Sequence, residues 1–318
     1  MSEPRQLPLF PTLPASEADL HPSSKLADTI VLFQAHLIRS GKTAHTVEAF
    51  TSDLELLMEY CGGRRAIGAL GSSDLNGFLH WLEFERGVPC SRKSYARRVT
   101  TLKVYFKWLY ELKAIPHDPA APLLQRSGPA PLADVLEESE VTALLAAASS
   151  ARRGDRPDAR PEVLVRLLLE TGIKKGETSR LQVGDIERPR VASEPATIRV
   201  RHSARTIYKE RLIPISETWL RVFDEYAAAY ALQSAVFACT ARNLEYILED
   251  LGESAGVGRK VSFEMLRWTC ALRDYRAGMA PDAIREKLGL SRVSWVETFS
   301  KIRQLAGETE PKANLESQ

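Results

Sequence analysis

Between Ile115 and Glu137 the chain carries Pro116, Pro119, Pro122, Pro129 and Pro131, with Ser127-Gly128 among them, and no helix can run through that stretch. Proline lacks the amide proton that a helix interior uses, and its ring clashes with the preceding turn. The stretch reads as a linker. It divides 318 residues into two parts, as suits a length beyond which single cores rarely keep growing. The expected organisation is a flexible Pro- and Ser-rich tail over 1–24, a helical domain over 25–115, the linker over 116–137, a second domain over 138–306 and a mildly acidic tail over 307–318.

Apolar spacing predicts four helices in the first domain. Leu26, Ile30, Phe33 and Leu37 share a face after Ser23-Ser24, and Gly41 ends that helix. Val47, Phe50, Leu54 and Leu57 mark a second helix from Ala44 to about Tyr60, stopped by Gly62-Gly63. A third starts at the cap Ser72-Ser73-Asp74, and the longest runs from about Ser91 to Leu112. On that fourth helix Tyr95, Val99, Leu102, Tyr105, Phe106 and Leu109 share one face, while Arg92, Lys93, Arg97, Lys103 and Lys107 fall on the opposite arc. Such an arc fits a phosphate backbone. It equally fits a solvated basic surface, because helix exteriors favour Lys and Arg.

The second domain reads as helices around one hairpin. Helices are expected at Glu138 to Ala148 and Val163 to Glu170, with a basic loop (Arg152, Arg153, Arg156, Arg160) between them. Thr197 to Arg201 and Arg211 to Ile215 alternate as two strands should, and Pro214 suits an edge strand. Further helices are expected at about Glu217 to Ala229, Ala241 to Leu251, Phe263 to Ala277, Pro281 to Leu288 and Ser294 to Leu305. The fold class is therefore mainly α, with a small β-sheet in the second domain.

No apolar run approaches the roughly 20 residues of a membrane span, and the first residues lack a basic start followed by an apolar stretch. Cys61, Cys90, Cys239 and Cys270 show neither zinc-ligand nor disulfide spacing; no metal or cofactor is expected, and a reducing cytoplasm is the simpler home. Net charge is only +2. Its distribution says more: between Arg86 and Lys113 stand eight Lys or Arg and one acidic residue, Glu111.

The segment Glu264-Met265-Leu266-Arg267-Trp268, then Leu288-Gly289-Leu290, then Phe299 nine residues later, resembles the catalytic region of the tyrosine site-specific recombinases (phage integrases and Xer proteins). That region reads His-x-Leu-Arg-His, then Leu-Gly-His, then a nucleophilic Tyr. The resemblance extends from about residue 25 to 305. Lys42 to Val47 with Asp53-Leu54, Ser91 through Trp108, and Asp118-Pro119 are similar to parts of the family's helical core-binding domain. Leu168 to Glu177 resembles its Tyr-Thr-Gly-Leu-Arg-x-x-Glu motif, Leu181 to Ile186 continues it, and Lys209-Glu210-Arg211 with Ile213-Pro214-Ile215 matches the end of its hairpin.

The resemblance implies a fold with a helical core-binding domain and a mostly helical catalytic-type domain, and a chemistry that this chain has largely lost. In such enzymes a tyrosine hydroxyl attacks a DNA phosphodiester, two arginines hold the non-bridging oxygens, and a lysine and histidines handle protons. Position by position, the first arginine falls on Lys174, which keeps the charge but loses the planar fork. The hairpin lysine falls on Thr206, with Arg205 adjacent. Glu264 puts a carboxylate where a cation stood, and Trp268 and Leu290 carry no proton. Only Arg267 is unchanged; it either grips phosphate or pairs with Glu264 one turn away. Phe299 has no nucleophile, and Thr298 and Ser300 beside it are expected to point elsewhere on their helix without a base. No tyrosine follows Tyr275, and His202 in the hairpin is the last histidine.

The first expectation is a cleavage-deficient protein that binds double-stranded DNA through Arg92, Lys93, Arg97, Lys103, Lys107, Lys174, Arg205 and Arg267. It would act as an accessory or architectural subunit in recombination or integration, at the nucleoid and away from membranes. Its partners would be an active recombinase, or further copies of itself through the C-terminal segment. The alternatives are an active recombinase with rearranged catalysts or a partner-supplied nucleophile, and a non-enzymatic interaction protein that reuses the fold.

Overall fold

The computed structural model describes residues 16–125, 131–189, 191, 194–202 and 210–308. The chain divides into two compact units, residues 1–129 and 130–318.

The first unit packs α1 (Leu26–Arg39), α2 (Ala44–Cys61), α3 (Ser72–Phe84) and α4 (Arg92–Glu111) around one core. Phe33, Leu54, Leu57, Phe78, Tyr105 and Phe106 are its fully buried centre, all at helical spacing in the sequence. Ser91 caps α4, its hydroxyl accepting the Ser94 N–H at 3.1 Å. At α3 the cap lies one residue earlier than the Ser-Ser-Asp run suggested. Gly71 is the N-cap, and the Asp74 carboxylate reaches back to accept the Gly71 N–H at 2.9 Å.

The second unit contains α5 (Glu138–Arg153), α6 (Arg160–Thr171), α7 (Lys175–Thr178), β1 (Ile186–Glu187), β2 (Ala196–Val200), β3 (Arg211–Ile215), α8 (Glu217–Ala229), α9 (Ala241–Ser254), α10 (Phe263–Arg276), α11 (Pro281–Lys287) and α12 (Arg292–Leu305). Its axis is α6, which packs against α5, α8, α9, α10 and β3. Val163, Leu164, Val165, Leu167 and Leu168 leave no exposed apolar face on it, the pattern of a central helix. Trp219 of α8 is fully buried and donates its indole N–H to the Val163 carbonyl at 3.0 Å.

The sheet runs β1-β2-β3, all antiparallel, with Ile198 opposite Ile213 and Thr197 opposite Pro214. Pro214 therefore sits on an edge strand, where its missing N–H interrupts no ladder on both sides. Strand β1 and helix α7 had no signal in the sequence, because two and four residues are too short to show periodicity.

The expected basic loop is largely not a loop. Helix α5 continues to Arg153, and Arg152 turns inward to bond Glu162 at 2.7 Å and Glu225 at 2.6 Å. Glu162 is only 1% exposed and takes a second bond from Arg166 at 2.8 Å. A buried carboxylate without such partners would be costly. Among the described residues, no helix is long and apolar enough to cross a membrane, and no group of His, Cys, Asp or Glu could hold a metal.

Candidate functional site

The site is assembled at two left-handed glycines. Helix α6 ends at Gly172, whose φ is 59°. A Cβ there would lie 2.9 Å from the Leu288 side chain and 3.3 Å from the Cys270 sulfur, so only glycine fits. The chain then turns into α7. Glu177 accepts the Lys174 N–H at 2.8 Å and fixes the backbone from which the Lys174 side chain departs. After α11 the chain turns again at Gly289, also at φ 59°, where a Cβ would fall 2.7 Å from the Arg211 guanidinium. That crowding accounts for glycine in the Leu288-Gly289 frame.

Arg211 and Glu177 form the base of the site. The guanidinium donates to Glu177 Oε1 at 3.2 Å, to Oε2 at 3.1 Å and to the Lys287 carbonyl at 2.7 Å, tying β3, α7 and α11 together. His202 Nε2 lies 3.1 Å from the same carboxylate. Burial opposes charge on Glu177. The Arg211 bonds and charge, the Lys174 N–H and the nearby Arg267 outweigh it and hold the carboxyl at about 2, against an ordinary 4.5. Both residues stood in the resembling motifs with no role given to them. Their partnership joins residues 34 apart in sequence, so no local pattern displays it.

Helix α10 supplies the next layer. Glu264, Arg267, Trp268 and Ala271 lie on one face, as three- and four-residue spacing requires, and all line a cavity of about 570 Å³. Lys174 and Lys175 border it from α7, Leu288 and Leu290 from the α11 end, and Glu245 of α9 pairs there with Lys175 at 2.8 Å. Arg267 donates to the carbonyls of Gly172 and of Leu288, the latter at 2.6 Å. The charge of Glu177 acts on Arg267 more strongly than that of Glu264. Burial lowers the Arg267 guanidinium to about 10, with Glu177 opposing that effect. The group therefore remains cationic at neutral pH.

The structure brings Lys174, Glu264, Arg267 and Leu290 to one cavity. Phe299 does not line it. Its ring stacks on Trp295 at 5.2 Å and meets Tyr275 edge-on at 5.8 Å, an aromatic cluster beside the cavity. Thr298 corrects the expectation that it points elsewhere: it borders the cavity, and its hydroxyl donates to the Ser294 carbonyl at 2.9 Å. Thr206 and Arg205 lie outside the described residues.

On α4, Arg92, Lys93 and Lys107 are exposed and Lys103 is half-buried. Lys107 stands 3.7 Å from Glu111. Arg97 departs from the simple basic arc. It bonds Asp53, which is 2% exposed, at 2.8 Å, while Arg98 approaches the same carboxylate at 3.5 Å and Thr101 donates to it at 2.8 Å. Arg97 therefore neutralises a buried carboxylate of α2. At the start of α9, Arg242 lies over the Tyr246 ring at 5.0 Å, and Asn243 beside it is exposed. None of the three stands in a motif that marks it in the sequence.

The model of the phage integrase family matches residues 134–304, and that of the phage integrase N-terminal SAM-like domain matches residues 30–113. Tyrosine recombinase XerC of Mycobacterium sp. (strain KMS) is 30% identical over 154 residues, 48% of this chain and 51% of that protein. XerC of Mycobacterium leprae (strain TN) is 31% identical over 157 residues, 49% and 52% of the two chains. The chain spans about half the length of the curated relatives it matches. In fold it is similar to a lambda integrase dimer bound to a COC' core site (TM-score 0.70, 15% identity, covering 92% of this chain and 81% of that one). It is also similar to XerH site-specific recombinase in a post-cleavage complex with palindromic difH substrate (TM-score 0.67, 17% identity, 82% and 78%).

Proposed function

The chain belongs to the phage integrase family of tyrosine recombinases, and on that footing we propose that it binds double-stranded DNA without cutting it, as an accessory or architectural subunit in recombination. The observation that carries this reading is the state of the cavity. Lys174 and Arg267 still border it, while Phe299, which falls at the family's nucleophile position, packs with Trp295 and Tyr275. Covalent catalysis has no starting atom there, and Leu290 and Trp268 cannot move the protons that strand cleavage transfers.

The chemistry left in the cavity is electrostatic. Arg267, braced on two carbonyls, offers a fixed positive charge, and Lys174 adds a point charge. Arg92, Lys93, Lys103 and Lys107 on α4, together with Arg205, supply further phosphate contacts. Such contacts position a protein on DNA and carry no sequence information themselves. Arg242 and Asn243 have the side-chain chemistry that reads base edges. The same set of side chains serves a subunit that occupies sites beside an active relative.

Fluorescence anisotropy of a random-sequence duplex tests the reading. Binding should weaken linearly on a log–log plot as salt rises, because phosphate contacts release counterions. Lys174→Met should reduce that slope by about 1. Absence of binding to any duplex at low salt would remove the basis of the proposal.

A further inference from the structure

We propose that the cavity on α10 seats one unpaired nucleotide, with its phosphate at Arg267 and Lys174, its base against Trp268, and the exocyclic amino group of cytosine or adenine donating to Glu264. This rests on the DNA-binding reading above and names the kind of DNA that the site selects. The cavity does not match an intact duplex. A duplex backbone presents hydrated phosphates and sugars, which suit the cationic rim at Lys174 and Arg267. It presents nothing for the apolar wall that Trp268, Leu288 and Leu290 form beside that rim. With paired DNA on the rim, the half-buried Trp268 indole and Leu290 would stay against water, over a floor of buried Leu288.

At about 570 Å³ the cavity has the size of a small-ligand pocket, with an apolar lining and a few convergent polar groups. An unpaired nucleotide supplies both missing parts, because its phosphate is an anion and its base is a planar ring. Bases taken out of a stack are held elsewhere by aromatic and apolar side chains, with hydrogen bonds on the exposed edge. Trp268 lies four residues after Glu264 and one after Arg267, so all three face the cavity from one side of α10. Glu264 is exposed in the first turn of α10, and Ser262 caps that helix at the Met265 N–H (3.2 Å). A carboxylate is favoured there by the helix dipole and repels a phosphate. It is a strong acceptor for the amino groups of cytosine or adenine, and thymine has no such group to offer. The departures at Glu264, Trp268 and Leu290, each a loss for strand cleavage, are together consistent gains for holding a base.

Anisotropy titrations of the full chain with three otherwise identical duplexes test this: one fully paired, one with a single bulged dC, one with a single bulged dT. The bulged dC duplex should bind about tenfold tighter than the paired one, equivalent to about 1.4 kcal/mol, and tighter than the bulged dT duplex. Trp268→Leu, which keeps apolar volume in the wall, should abolish the preference for a bulge, so that bulged and paired duplexes bind alike. Glu264→Gln, at an exposed position, should bring dC and dT together while the bulge preference persists. Equal binding of bulged and paired duplexes overturns the inference and leaves the DNA-binding reading standing. So does a bulge preference that survives Trp268→Leu, since flexible DNA alone would then explain it. Failure to bind any of the three overturns both.

Discussion

The Glu177–Arg211 pair gives the sharpest quantitative test of how the site is held together. Glu177 is 3% exposed and Arg211 9%, so solvent screens their interaction little. The Glu177 carboxyl sits at about 2 where 4.5 is ordinary. At 1.36 kcal/mol per pH unit, that gap corresponds to about 3 kcal/mol of folding free energy at neutral pH. Removal of one partner from a buried pair costs about 3–5 kcal/mol by mutational precedent, so two independent routes agree. Because the folded value lies below the unfolded one, the contribution is complete above about pH 4.5 and is lost as pH falls toward 2. Glu177→Gln should therefore lower unfolding free energy by about 3 kcal/mol at pH 7 in urea titrations. The accompanying fall in Tm should be about 6–12 °C. The deficit relative to the parent should shrink at pH 3. A double variant, Glu177→Gln with Arg211→Met, should recover part of the loss, since no buried cation is left alone. A deficit below about 1 kcal/mol, or one that is the same at pH 3 and pH 7, would refute the reasoning.

Gly289→Ala should destabilise the chain by about 1–3 kcal/mol in thermal melts, since the new methyl group would lie 2.7 Å from Arg211 on a positive-φ backbone. Asp53→Ala should cost about 1–3 kcal/mol by leaving the Thr101 hydroxyl and the little-exposed Arg98 without their acceptor, while Arg97 can turn to solvent; no measurable loss would refute a structural role for Asp53. Lys107→Glu should weaken duplex binding in anisotropy without moving Tm, whereas Arg97→Glu should lower Tm, because Arg97 is bound to buried Asp53. Phe299→Tyr should yield no covalent adduct on denaturing gels, because a hydroxyl added there still lacks proton-transfer partners at Leu290 and Trp268.

The boundaries of some helices were legible in the sequence, whereas α5 runs five residues past its expected end. Helix α8 spans Glu217–Ala229, the range that its apolar spacing indicates, and α2 differs from expectation by one residue. Periodicity over several turns is a strong local signal. Pairings across the chain carry none. Arg97 reads as one more cation on a basic arc until its carboxylate, 44 residues away, is brought beside it. Arg152 reads as loop until Glu225, 73 residues away, takes its guanidinium. At the site, residue types could be matched to family positions, but the support of Arg267 could not. Its hydrogen-bond acceptors are backbone carbonyls 95 and 21 residues away, and any residue carries a carbonyl. Thr298 and Phe299 show the same limit. One position of helical rotation decides which of them borders the cavity, and that rotation goes with the packing of Phe299 of α12 on Tyr275 of α10.

The central claim is a DNA grip without strand cleavage, and a covalent-trapping assay tests it most directly. The full chain would be incubated with a pool of duplexes carrying bridging phosphorothiolates, which leave a trapped protein–DNA link after any attack. Binding would be followed by anisotropy and adducts by denaturing gel in the same samples. The account predicts salt-dependent binding with no adduct. A covalent adduct, mapped by mass spectrometry to Thr298 or to any other side chain, would contradict it.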